Sequence, residues 1–230
     1  MQKKLSCLAV VLLCLTSIAC NSRPSSPIAD AASAGDAAAV TSLLHGGGDS
    51  NTRNINGFTP LICAAREGRA EIIRMLIESG ADPNLGGGVN DWTPIKHAIH
   101  KNQIKSVEAL LDLGANVNAG GPHRESALMM AAGYGQTEIV RLLLRRGADP
   151  RARSVDGETA LGMAVSGVHD IDCFTVGRCQ TETVKALLDA APELAGEVNS
   201  WARTIARLGG CSETLRLLDD SPRRSARSAK

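Results

Sequence analysis

The chain has 230 residues, 43% of them hydrophobic but only 2% aromatic, and its 25 basic and 24 acidic side chains leave a net charge of +1. This length and apolar content exclude a disordered or fibrous chain. The near-neutral balance excludes a global field that would draw the molecule to nucleic acid or a charged bilayer. With so few aromatics the core must be built from Ala, Leu, Ile, Val and Met, which favours closely stacked helices.

The N-terminus reads as an export signal over residues 1–19, with Lys3 and Lys4 as a basic region before a mostly apolar stretch from Leu5 to Ala19. That stretch is too short and too weakly flanked for a membrane-spanning helix. It ends in Ser17-Ile18-Ala19-Cys20, which resembles the bacterial lipobox and would make Cys20 a lipidated mature N-terminus. Ser17 stands where a lipobox usually has Leu, and the small residues also suit ordinary signal-peptidase cleavage. Residues 20–27 are Ser/Pro-rich and read as a flexible tether.

A repeat follows. Phe58-Thr59-Pro60-Leu61, Trp92-Thr93-Pro94-Ile95, Glu125-Ser126-Ala127-Leu128 and Glu158-Thr159-Ala160-Leu161 place hydroxyl residues 34, 33 and 33 positions apart. Ala64, Ala98, Ala131 and Ala164 follow at one offset. A second apolar cluster comes next in each unit, and in three units it closes with Gly80-Ala81-Asp82, Gly114-Ala115-Asn116 and Gly147-Ala148-Asp149. Thr59 and its equivalents are suited to cap a first helix, with Pro60 at its first position. The alanines let neighbouring helices approach, the Leu/Ile/Val stripe of the second helix fills the space between units, and the glycines end that helix.

This pattern resembles the ankyrin repeat and covers roughly residues 28–220. The resemblance implies an all-α solenoid of stacked helix pairs joined by short hairpin turns, with about four recognisable repeats and degenerate caps. Residues 28–53 serve as the N-terminal cap and 195–220 as the final pair, and an insertion falls near 168–182. Residues 221–230 form a basic, solvated tail. Asp91 and Arg124 stand where the family has a hairpin glycine, and Lys96, Met129 and Gly162 where it has a helix-capping His.

Of seven cysteines, Cys7 and Cys14 leave with the signal and Cys20 is the candidate lipidation site, which leaves Cys63, Cys173, Cys179 and Cys211. In an oxidising compartment Cys173 and Cys179 are a plausible disulfide, closing a small loop worth roughly 2 kcal/mol. No metal-ligand spacing, nucleophile elbow, phosphate-binding loop or dinucleotide fingerprint is present, so no cofactor and no catalytic residue is assigned. His97 and His100 on one helix lack a third ligand nearby, and Cys63 reads as core.

The aromatics carry the positive signal. The ankyrin resemblance places Phe58, Trp92 and Tyr134 on the concave binding face, as exposed anchors whose truncation leaves the fold nearly unchanged. The alternative is that Phe58 and Trp92 cover neighbouring hairpins. Asn56, Arg66, Glu67, Asn90, His100, Lys101, His123 and Asp156 would form a mixed-charge rim, which points to a protein partner of no extreme charge. The expected function is a protein-binding module of the bacterial periplasm or envelope membrane, held only by a lipid anchor at Cys20 and possessing no enzyme activity. The resemblance extends this to an inhibitor, immunity or protective factor for an envelope enzyme. A passive spacer is one alternative. An enzyme using His169, Asp170, Asp172 and Cys173 in the insertion is another.

Overall fold

A computed structural model describes residues 26–120, 125–167 and 179–228, with side chains through 221. These residues form helix pairs. The pairs are α1 (Pro27–Ala34) with α2 (Ala37–His45), α3 (Pro60–Arg66) with α4 (Ala70–Glu78), and α5 (Pro94–His100) with α6 (Ile104–Asp112). They continue as α7 (Ala127–Gly133) with α8 (Thr137–Arg145) and α9 (Ala160–Ser166) with α10 (Thr181–Ala190). A 3-10 turn, Pro192–Glu197, leads to the last pair, α11 (Ser200–Leu208) and α12 (Ser212–Ser228). First helices stack on first helices and second on second along the whole series, giving two layers, and among the described residues the only strand pairing is an isolated bridge between Gly87 and Trp92. This is the all-α solenoid that the repeat pattern implies.

Packing follows the periodicity. Ala64, Ala98, Ala131 and Ala164 are fully buried between first helices, where any larger side chain would force the layer apart. Leu76, Leu110, Leu143 and Leu187 fill the second layer. Thr59, Ser126 and Thr159 cap their helices, each hydroxyl accepting an N–H three residues on at 3.2 Å. Thr93 departs from that expectation, because its helix has no side-chain cap and its buried hydroxyl has no partner. Met129, where the family has His, closes a capping box by accepting the Ser126 N–H on its sulfur at 3.4 Å. Gly162 leaves room for the Glu158 carboxylate, which a Cβ there would meet at 2.6 Å. Asp91, in place of glycine, adopts φ +48°.

Polar side chains tie unit to unit. Asn51 donates to the Gly80 carbonyl (3.2 Å) and accepts the Asp82 N–H (3.1 Å), and Asn118 does the same with Gly147 (3.1 Å) and Asp149 (2.9 Å). Asn84 accepts the Asn116 N–H at 2.8 Å. The ladder stops at Arg151, which pairs with Glu193 instead. On the opposite edge Gln136 donates to the Ile99 carbonyl (2.8 Å) and Gln180 to that of Gly133 (2.9 Å).

Three expectations are corrected. Ser26 and Pro27, expected at the end of the tether, are instead the cap and first residue of α1. Helix α12 runs on to Ser228, through most of the segment expected as a tail. The disulfide joins Cys179 to Cys211, with Cα atoms 5.1 Å apart, so the Cys173–Cys179 pairing does not form. Stacking sets the start of α10 beside the start of α12, and this brings together cysteines 32 residues apart. Residues 1–25, Cys173 and most of the insertion lie outside the described residues.

His97 fastens α5 to the preceding hairpin. Its Nε2 lies 3.2 Å from the Gly87 carbonyl oxygen and must donate, so Nδ1 is the lone pair that accepts from Arg66 at 3.2 Å. Burial, which leaves the residue 4% exposed, pushes its pKa from 6.5 down to about 4. The unfolded chain therefore takes a proton near 6.5 that the folded chain refuses until about 4. His97 should contribute its full stability above pH 6.5 and lose it as the pH falls to about 4, a change of about 3 kcal/mol. Urea titrations of wild type and His97→Gln across this range should diverge by that amount; parallel curves would refute the assignment. Leu143→Ala, in the packed second layer, should cost roughly 2 to 5 kcal/mol at neutral pH in the same assay.

Candidate functional site

The site is assembled from hairpin bases and first-helix ends. Asn54 shapes the hairpin before α3, its Oδ1 accepting the N–H groups of Asn56 (2.9 Å) and Phe58 (3.0 Å) while its own N–H donates to the Phe58 carbonyl (2.9 Å). Phe58 is thereby fixed over the next hairpin. Its ring lies so close to Gly88 that a Cβ there would meet it at 2.5 Å. Trp92 is held by its carbonyl, which accepts the Gly87 N–H at 3.0 Å. Tyr134 sits on the C-terminal cap of α7.

The two histidines of α5 join these aromatics into one row. Phe58 and His97 have centroids 5.0 Å apart, Trp92 stands 5.7 Å from His97 and 5.4 Å from His100, and His100 stands 5.9 Å from Tyr134. Edge-to-face and tilted contacts at this spacing suit the ring quadrupoles. His100 Nδ1 and the Tyr134 hydroxyl are 3.1 Å apart. At the near end the Arg66 guanidinium lies 5.0 Å over the Phe58 ring, which fixes its plane by cation–π attraction and by its bond to His97. The row crosses three consecutive units.

Phe58, Trp92 and Tyr134 are each half-buried, which corrects the expectation of exposed anchors. Phe58 covers the next hairpin at Gly88, and all three rings also meet solvent. Arg66, His100 and Lys101 are half-buried within or beside the row, and Glu67 is exposed next to Arg66. Asn56 and Asn90 are exposed at hairpin tips, next to the exposed Ile55 and Val89. Asp156 is exposed beside Val155 on the fifth unit's hairpin, beyond the three units that carry the row. His123 lies outside the described residues.

One participant in the row, and one exposed aromatic away from it, are not foreseen by the sequence. His97 is the centre of the row, although its spacing from His100 gave no hint beyond a shared helix. Trp201 was assigned to the degenerate final pair, yet it is 66% exposed, and Leu208 on the same side of α11 is 81% exposed. The buried Ala202 and Ala206, four apart, were the available signal, since they fix the inward stripe and leave 201 and 208 off it. Among the described residues no cluster of three metal-ligating side chains occurs, and no helix is long and apolar enough to cross a membrane.

A stack of short helix pairs carrying a contiguous, partly exposed aromatic row is suited to holding another polypeptide rather than to transforming a small molecule. Comparison with known proteins agrees on the architecture. A model described as ankyrin repeats in three copies matches residues 28–121, and one described as ankyrin repeats in many copies matches 110–164. A putative ankyrin repeat-containing protein of Treponema pallidum (strain Nichols) is 38% identical over 85 residues, which is 36% of this chain and 25% of that protein. The E3 ubiquitin-protein ligase hecd-1 of Caenorhabditis elegans is 50% identical over 42 residues, 18% of this chain and 2% of that one. The matched segments are thus small parts of both relatives. The two family models together run over residues 28–164, more than half of its length, and the chain belongs to the ankyrin-repeat family.

Proposed function

We propose that this protein is a binding module of the bacterial envelope, exported by its N-terminal signal and presenting the row Phe58, Trp92, Tyr134 to a protein partner. Ankyrin repeats are protein–protein interaction modules, and the observation that carries the site is the continuity of the aromatic row across three units. Aromatic side chains held by neighbours lose little freedom when a partner covers them, which makes them efficient anchors. Arg66, Asn56, Asn90, His100 and Lys101 supply the polar rim. The disulfide between Cys179 and Cys211 supports an oxidising compartment, because such bonds persist outside the cytosol. Attachment is through a lipid on Cys20. Within this class, inhibition or protection of an envelope enzyme is the reading that family analogy favours.

Two measurements test it. Proteins co-purifying with the chain from its native envelope should include one that Trp92→Ala and Tyr134→Ala each weaken by about 2 kcal/mol, roughly thirtyfold in affinity. Since both rings are half-buried, each variant's thermal melt is recorded first, and binding is compared where both are folded. Unchanged affinity in folded variants would remove the row from the interface. Cys20→Ala should move the protein from the membrane fraction to the soluble one. Retention on the membrane would exclude the lipid anchor and leave the partner as the attachment.

A further inference from the structure

We propose that the Cys179–Cys211 bond is a thiol–disulfide exchange site that controls docking of the last helix pair, and that its reactant is a dithiol reductant attacking Cys179. The two sulfurs are unequal: Cys179 is exposed, whereas Cys211 is 3% exposed. Attack is therefore directed to Cys179. Attack on Cys179 makes Cys211 the leaving group, and it immediately precedes Ser212, the first residue of the 17-residue α12, whose N-terminus offsets part of the cost of a buried departing thiolate.

The chemistry balances. A thiolate of the reductant forms a bond to Cys179 Sγ as the Cys179–Cys211 bond breaks, and the electron pair leaves on Cys211, which takes up a proton. The reductant's second thiolate then attacks its own sulfur in the mixed disulfide and releases Cys179 as a thiol. The protein disulfide gains two electrons, and the dithiol becomes a disulfide.

The consequence for docking follows from what else holds the last pair. Helix α7, the corresponding first helix inside the stack, buries Leu128, Met129 and Met130 beside its alanines, whereas α11 buries only Ala202 and Ala206 and leaves Trp201 and Leu208 largely exposed; among the described residues Leu218 is the one large apolar side chain that α12 buries. The polar ties are few: Asn199 to Glu158 (2.5 Å) is exposed, while Arg203 to the Ala195 carbonyl (2.8 Å), Thr181 with Thr214 (3.1 Å) and Ser221 to the Pro192 carbonyl (3.2 Å) are only partly buried. An alanine-faced interface with so little apolar burial depends on the covalent link in a way the inner units do not. The other described cysteine, Cys63, is buried with its thiol pushed up to about 11 by desolvation, so it does not compete for the reductant.

The test uses the full mature chain in a Cys173→Ser background. A dithiol is added without denaturant, and hydrogen exchange is followed by mass spectrometry. Reduction should speed exchange at residues 200–221 by roughly tenfold or more while α3 to α8 stay unchanged. The double variant Cys179→Ser/Cys211→Ser should match the reduced protein. A thioredoxin-like Cys-x-x-Ser reagent, which cannot complete the second step, should be trapped on Cys179. The proposal is overturned by any of four results: a bond that resists reduction until the chain unfolds, unchanged exchange after reduction, loss of protection throughout the stack, or a trapped adduct on Cys211.

Discussion

None of the inner helices could stand alone. They are seven to ten residues long, below the length at which an isolated helix persists in water, so each exists only because neighbours bury its apolar side. Contact between adjacent units is thus the constraint on which everything else rests. It explains why the first helices carry alanine at one fixed offset, since a shared spacing between neighbours has to be met by every unit. The Asn51, Asn84 and Asn118 bonds belong to the same logic, because each satisfies backbone groups of the following unit that a lone unit would leave to water.

Stacking also decides what the binding face can be. Phe58 and Trp92 project from separate hairpins, and only the register between units brings both rings to His97. Two features shape the row. Asp91 takes the left-handed turn ordinarily left to glycine and still delivers Trp92, and the pair His97 and His100 fills the gap between aromatics that would otherwise stand a whole unit apart. His97 can do so only uncharged, which its burial and then the neighbouring Arg66 guanidinium enforce against the Gly87 carbonyl, whose hydrogen bond favours the charged ring.

The architecture was legible because it is written in local signals repeated at a fixed period: hydroxyl, alanine offset, apolar stripe and closing Gly-Ala. The failures share the opposite character. Cys173 and Cys179 are near in sequence, and loop closure alone favours that pair, but a solenoid makes residues one repeat apart into neighbours. The 32-residue separation of Cys179 and Cys211, close to the 33-residue period, was the overlooked sign. Trp201 was missed because the last unit is too degenerate to align, so its outward side could be found only from Ala202 and Ala206. The half-burial of Phe58 was not readable either, since it depends on how closely the Gly88 backbone approaches the ring.

A chain whose units touch only their neighbours spreads disturbance poorly. The free energy of such a stack is close to a sum of unit terms and nearest-neighbour terms, so loosening one end weakens the adjoining interface and little beyond it. The aromatic row occupies the second to fourth units, and the disulfide bridges the fifth and sixth. Between Tyr134 and the disulfide the stack offers Gln180, which grips the Gly133 carbonyl, and the Thr137–Thr183 contact at 2.7 Å. Those bonds join α7 and α8 to the start of α10 and not to the final pair, so opening that pair leaves them in place. The two ends of the molecule can therefore answer to different chemistry, the row to a partner's surface and the last pair to the redox state around it.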